Sequence, residues 1–142
     1  MREIKIRGYS TEKLCTDSQW VEGTGVHTTI FTNEFAKEVG KAGETFIFTE
    51  SGWFEVYPES VGQNTGLKDK NGAEICEGDI IKDFINEKRY EVIWDDYGMF
   101  LFNPVGTEGS GIDYYDFEDE ISSATIIVGN IYEHPHLLEN NQ

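Results

Sequence analysis

Carboxylates crowd the last third of this chain, and they are the first residues whose types and spacing suggest chemistry. Segment 113–120 reads Asp113-Tyr114-Tyr115-Asp116-Phe117-Glu118-Asp119-Glu120. Acids at two- and three-residue spacing can converge on a hard cation such as calcium or magnesium. The segment lacks the glycine and the terminal glutamate of an EF-hand loop, so it reads as a solvated edge or loop whose charge deters edge-to-edge strand pairing. Asp95 or Asp96, paired with a later acid, has the residue types for glycoside hydrolysis. That reaction needs one carboxyl held protonated in an apolar pocket at a set distance from its partner. In a chain with 27 Asp and Glu, such pairs arise by chance.

Other reactive side chains are sparse. His134 and His136 flank Pro135 and, with Cys76 or a carboxylate, have the types for a transition-metal site. Imidazoles at i, i+2 near a chain end more often point in opposite directions as surface residues. His27, alone in a threonine-rich stretch, reads as structural. Cys15 and Cys76 form no C-x-x-C and read as free, reduced thiols. Residues 62–72 combine three glycines with Lys68 and Lys70, but contain no phosphate-binding G-x-x-x-x-G-K-[ST]. No G-x-S-x-G elbow or H-E-x-x-H helix occurs. The sequence therefore assigns no catalytic residue, no cofactor and no metal ligand, and the chain reads as non-enzymatic. A carboxylate-based or divalent-metal-dependent enzyme is the competing class.

Charge narrows the partners. The net charge is -16, and it is unevenly spread: residues 1–62 hold 6 Lys and Arg against 10 Asp and Glu, residues 63–142 hold 5 against 17. No basic residue follows Arg89. Phosphate backbones are repelled by such a surface. Direct nucleic-acid binding would require Arg2, Lys5, Arg7, Lys68, Lys70, Lys82, Lys88 and Arg89 to gather on one face. The candidate partner-binding face is instead acidic, comprising Asp95, Asp96, Asp113, Tyr114, Tyr115, Asp116, Glu118, Asp119 and Glu120, and it suits a basic host or phage protein. No apolar run reaches the roughly 20 residues that span a bilayer, and the N-terminus lacks a signal-peptide core. The expected location is the cytoplasm of a bacterial host.

The elements that must position these residues are mostly strands. At 142 residues, 38% of them apolar, the chain is expected to fold as a single domain. Residues 2–9 alternate, with Ile4 and Ile6 on one face and Lys5 and Arg7 on the other. Residues 26–31 form a β-branched run. Asn33 is placed to cap a short helix over 34–39, with Gly40 as its stop. Residues 45–49 and 53–57 read as a hairpin with Phe46, Phe48, Phe54 and Val56 inward. Residues 62–79 read as a turn-rich block, in which Asn71-Gly72 supplies two positive-φ residues and Glu77-Gly78-Asp79 a second reversal. A meander follows over 80–85, 89–94 and 99–102, and 124–132 ends the pattern with a strand interrupted at Gly129-Asn130. Strands about ten residues apart suggest a small sheet or barrel, with Trp20, Trp53 and Trp94 mostly in its core.

Three segments carry a family resemblance. They are Met1-Arg2-Glu3-Ile4-Lys5-Ile6-Arg7; the run Gln63-Asn64-Thr65-Gly66-Leu67-Lys68-Asp69-Lys70-Asn71-Gly72 continuing through Glu74-Ile75-Cys76-Glu77-Gly78-Asp79-Ile80-Ile81; and Val128-Gly129-Asn130-Ile131-Tyr132-Glu133 with Pro135, Leu137 and Leu138 after it. With Val92 and Trp94 between them, the chain resembles the YopX family of phage and prophage proteins. His134 between Glu133 and Pro135, and the divergent stretch 21–58, depart from the family pattern. The resemblance implies a mainly β, SH3-like pseudo-barrel of antiparallel strands with one short capping helix. It also implies one domain over 1–142, more divergent over residues 1–62 and with a barrel-like core over residues 63–138, and self-association as a homo-oligomer. It implies no reaction.

Overall fold

The computed structural model describes residues 4–95, 98–106, 111–113 and 122–139. Two compact units divide the chain, Met1–Gln63 and Asn64–Gln142.

The first unit contains β1 (Ile6–Tyr9), β2 (Trp20–Gly23), β3 (Gly25–Ile30), α1 (Asn33–Val39), β4 (Gly43–Thr49), β5 (Gly52–Val56) and the first residues of β6 (Gly62–Lys68). β1 lies between β2 and β6, with Ile6 opposite Gly23 and also opposite Gln63. The alternation around Ile6 holds, but Ile4 is exposed and precedes the strand. β3, β4 and β5 form an antiparallel sheet in that order. Val21, Ile47 and Val56 make the buried core, with Ile6, Leu14, Phe54 and Val61 packed against them. Space in this core is tight. A Cβ on Gly23 would lie 2.0 Å from the Phe48 carbonyl oxygen, and one on Gly8 2.7 Å from Ile47 Cδ1. These glycines let β2 and β1 approach the β4–β5 hairpin, and β2 itself was hidden in the sequence because only Val21 of its four residues is an aliphatic core residue.

The hairpin corrects the expected inward set. Its turn joins Thr49 to Gly52, so Ile47 faces Phe54 and Thr45 faces Val56. Paired numbers sum to an odd value, and even residues on β4 must share a face with odd residues on β5. Phe54 and Val56 point inward as expected, whereas Phe46 and Phe48 lie on the opposite face. The helix start also shifts by one residue. Thr32 is the N-cap, its backbone extended and its Oγ1 accepting the Phe35 N–H at 3.3 Å, while Asn33 is already helical. Gly40 closes α1 at φ 79°, donating its N–H to Ala36 O at 2.9 Å, as the sequence suggested.

In the second unit, β6 continues and pairs with β7 (Glu74–Cys76); β8 (Asp79–Asp83), β9 (Arg89–Trp94), β10 (Phe100–Pro104), β11 (Ile112–Asp113) and β12 (Thr125–Asn130) form an antiparallel sheet in the order β11-β10-β9-β8-β12. Leu67, Ile75, Ile81, Tyr90, Val92 and Phe102 are its buried core, each worth about 1.5–3 kcal/mol of transfer free energy. The block 62–79 therefore holds two strands as well as turns. Thr65 explains why it looked like turn alone: its Oγ1 donates to Ile75 O at 2.7 Å and accepts the Leu67 N–H at 3.1 Å, a side chain standing in where the ladder slips between Asn64 and Lys68. At 69–72 only Gly72 has positive φ, 83°. The turn is closed by Gly72 N–H on Asp69 O, so Asn71 is not in the left-handed region.

The fold is mainly β and antiparallel, with one α-helix among the described residues. The sheet order of the second unit is open at both ends, so the expected barrel is not closed among the described residues. No described helix is long and apolar enough to cross a membrane.

Candidate functional site

The acids singled out by the sequence come first. Asp95 sits half-buried at the β9–β10 reversal, donating its N–H to Met99 O at 2.7 Å and accepting the Gly98 N–H on its own carbonyl at 2.9 Å. Asp113 belongs to β11, opposite Leu101, which faces Ile93 across β9. The backbone thus sets Asp95 and Asp113 toward the same end of this sheet. Asp96, Tyr114, Tyr115, Asp116, Glu118, Asp119 and Glu120 lie outside the described residues. Among the described residues, no three His, Cys, Asp or Glu side chains gather as a group able to hold a metal ion.

Three other carboxylates are buried and structural. Asp69 Oδ1 accepts the N–H groups of Asn71 and Ala73, each at 2.9 Å, and its Oδ2 accepts that of Ile127 at 3.1 Å. Asp79 Oδ2 accepts the Cys76 N–H at 2.7 Å, and Asp83 Oδ1 that of Ile85 at 2.8 Å. The turn motifs around Asp69 and Asp79 are therefore devices for satisfying buried backbone donors. The segment around Gly129 has the same character. A Cβ there would meet Leu137 Cδ1 at 2.7 Å and His134 Nδ1 at 2.9 Å, so glycine lets the 3-10 turn Pro135–Leu138 fold back on β12. His134 Nδ1 accepts the Asn130 N–H at 3.2 Å, while His136 is exposed. Cys15 is exposed and Cys76 buried, and neither is in a disulfide.

The first unit presents what the sequence did not reveal, a set of exposed apolar side chains beside two hollows. One cavity, of about 700 Å³, is lined by Ile30, Ala42, Val56, Tyr57 and Pro58 together with threonines. Lys41 stands at it, bonded to Glu55 Oε2 at 2.9 Å and Glu44 Oε1 at 3.1 Å. Donating hydrogen bonds to these two carboxylates raises the Lys41 pKa above its ordinary value. The second hollow, about 500 Å³, lies among His27, Phe46 and Trp53. His27 is thus an exposed residue and not a core one. Trp53 is 56% exposed, with the Phe48 ring 5.0 Å away, and Trp94 is also exposed; Trp20 carries the Arg7 guanidinium 4.5 Å above its ring. The tryptophans do not form the core, because the pleat assigns inward positions by parity and not by size. A run of aromatics at alternate positions was the available signal, but it does not say which face is covered.

The family model described as YopX protein matches residues 10–139. The chain belongs to the YopX family. The match spans both units, including the structural turns around Asp69, Asp79 and Gly129. Among solved structures the YopX chain is similar to the crystal structure of protein EF1440 from Enterococcus faecalis, at 23% identity over 96% of this chain and 98% of that one, with a TM-score of 0.47. No curated protein matches the sequence.

Proposed function

We propose that this YopX protein is a non-enzymatic interaction protein, carried by a phage or prophage, that self-associates through its first unit and offers its acid-rich second half to a basic partner. The observation that carries the reading is α1. This seven-residue helix buries none of its residues; Phe35 is 46% and Val39 44% exposed. So short a helix gains little from propensity, and in most proteins an apolar face against a neighbour stabilises it. Phe35 packs edge-to-face on the Phe31 ring, 4.9 Å away, and nearly half of this apolar face stays exposed, as on surfaces that a partner covers. Its own charges are mixed, Glu34 and Glu38 beside Lys37, with Lys41 just beyond it engaged by Glu44 and Glu55, so the helix itself adds little to the repulsion between two copies. Light scattering coupled to gel filtration tests this: the expected result is a mass of two or more copies, and a monomer at every concentration up to about 100 μM, well above micromolar association, would remove the reading. Capture from bacterial lysate at graded salt tests the second half. Basic proteins released by salt support it; salt-insensitive capture of neutral proteins counts against it.

A further inference from the structure

We propose that the outer edge of β3 is the strand by which two copies of this chain join, antiparallel and symmetric about Thr28. The inference rests on the self-association reading above and specifies its contact. β3 pairs with β4 on one side only among the described residues. Phe31 donates its N–H to Ala42 O at 2.8 Å, and from the register Ile30 to Gly43 this fixes which amides point inward. Thr29 and His27 bond to β4; Val26, Thr28 and Ile30 aim their N–H and C=O groups away from it. The Thr28 and Thr45 Oγ1 atoms are 3.1 Å apart, as befits an antiparallel pair of the closer, non-hydrogen-bonded kind.

Among the described residues, that edge carries none of the usual guards. Strand edges are protected by lysine or another charge, by proline, by a bulge or by a covering element. Gly-Val-His-Thr-Thr-Ile has no charge and no proline, its register with β4 is unbroken from Gly25 to Ile30, and every residue after Gly25 is exposed, Ile30 to 84%. The second copy is the occupant that the pattern fits. With Thr28 opposite its own counterpart, Val26 faces the counterpart of Ile30 and His27 that of Thr29, so apolar meets apolar and polar meets polar about a two-fold axis. Because the strand is uncharged, no carboxylate of the strand is brought against another along the seam. Joining extends the three strands β3, β4 and β5 into a six-stranded sheet and satisfies three outward-facing residues per copy.

The test uses the full chain. Thr28→Pro removes an outward backbone donor without touching a backbone bond to β4, and Thr28→Val controls for the lost Thr28–Thr45 hydroxyl contact. The proline, and not the valine, is expected to raise the dimer dissociation constant on the order of 100-fold while circular dichroism keeps its β signature. Thr28→Cys in a Cys15→Ser background is expected to form a symmetric disulfide on oxidation, since opposed Cα atoms about 5.5 Å apart suit a disulfide, whereas His27→Cys in the same background is not. An assembly that survives Thr28→Pro unchanged overturns the edge proposal and leaves self-association standing. So does an oligomer without a crosslink at residue 28, a result that holds even where the proline variant fails to fold. A wild-type monomer overturns both.

Discussion

Asp69 shows how much a single carboxylate can hold. Its two oxygens take three backbone N–H groups from its own turn and from β12, and the residue is buried. Truncation leaves those donors without an acceptor, and each unmet donor costs about 1–3 kcal/mol, less where the turn can relax toward water. Asp69→Ala is therefore expected to lose about 2–4 kcal/mol in urea unfolding, far more than the same change at an exposed acid. Glu91 has the opposite sign. It lies in β9 between Ile80 and Asn103, and burial pushes its carboxyl above the usual carboxylate range. The folded chain then binds this proton more tightly than the unfolded chain does, so the group's contribution to stability falls as pH rises from the ordinary value through the raised one. Above that window the folded state carries the full desolvation cost; below it the cost is gone. Glu91→Gln is expected to raise the urea midpoint at pH 7, with the advantage shrinking as the pH is lowered and absent below about pH 4. Glu87 is the one described non-glycine residue with positive φ, 60°. Asparagine tolerates this region better, and Glu87→Asn is expected to stabilise by roughly 0.5 kcal/mol in the same assay.

The elements of both units were legible in part: β8, β9, β10 and β12 in the second, β1, β3, α1, β4 and β5 in the first. Arg89–Trp94 reads directly as a strand because Tyr90 and Val92 alternate with partly exposed Glu91 and Ile93 between turns rich in Asn, Glu and Asp. β6 and β7 were illegible because Asn64, Thr65 and Gly66 look like turn residues, and only the fold reveals Thr65 bridging to Ile75 and Asn64 Nδ2 to Glu74 Oε2 at 3.0 Å. In the first unit β4 and β5 could be found, but not which of their aromatics lie inward, since that depends on a two-residue turn length that alternation alone does not specify. The acidic face could be named from composition, yet nothing local in a carboxylate-rich segment says which acids converge. The exposed apolar residues of β3 and α1 were illegible for a different reason: β-branched and aromatic side chains carry no mark of whether a core reaches them. Gly23 joins these levels, since β2 passes the β4 backbone only without a side chain. Gly23→Ala places a methyl group against the Phe48 carbonyl and is expected to cost at least about 3 kcal/mol, measured by thermal or urea unfolding, while Gly25→Ala, with its nearest neighbour at 4.0 Å, is expected to cost under about 1 kcal/mol.

For the whole molecule, the net charge of -16 and the uncharged β3 edge pull in opposite directions, and salt separates them. Two copies that approach one another carry like charge, and at low ionic strength that field extends over roughly 30 Å; at 1 M salt it extends over about 3 Å. The contacts of the proposed pair, backbone hydrogen bonds along β3 and apolar side chains beside them, would contain no ion pair for salt to weaken. Self-association is therefore expected to tighten with ionic strength, by about tenfold in dissociation constant between 0.05 and 0.5 M sodium chloride, a change of roughly 1.4 kcal/mol. Capture of a basic partner by the acidic second half is expected to respond the other way and to weaken steeply over the same range. Sedimentation velocity across that salt series measures the first response and binding to a cationic test protein the second. A dimer that falls apart as salt rises would mean that charged groups hold the seam, and β3, which has none, would lose its place in the assembly.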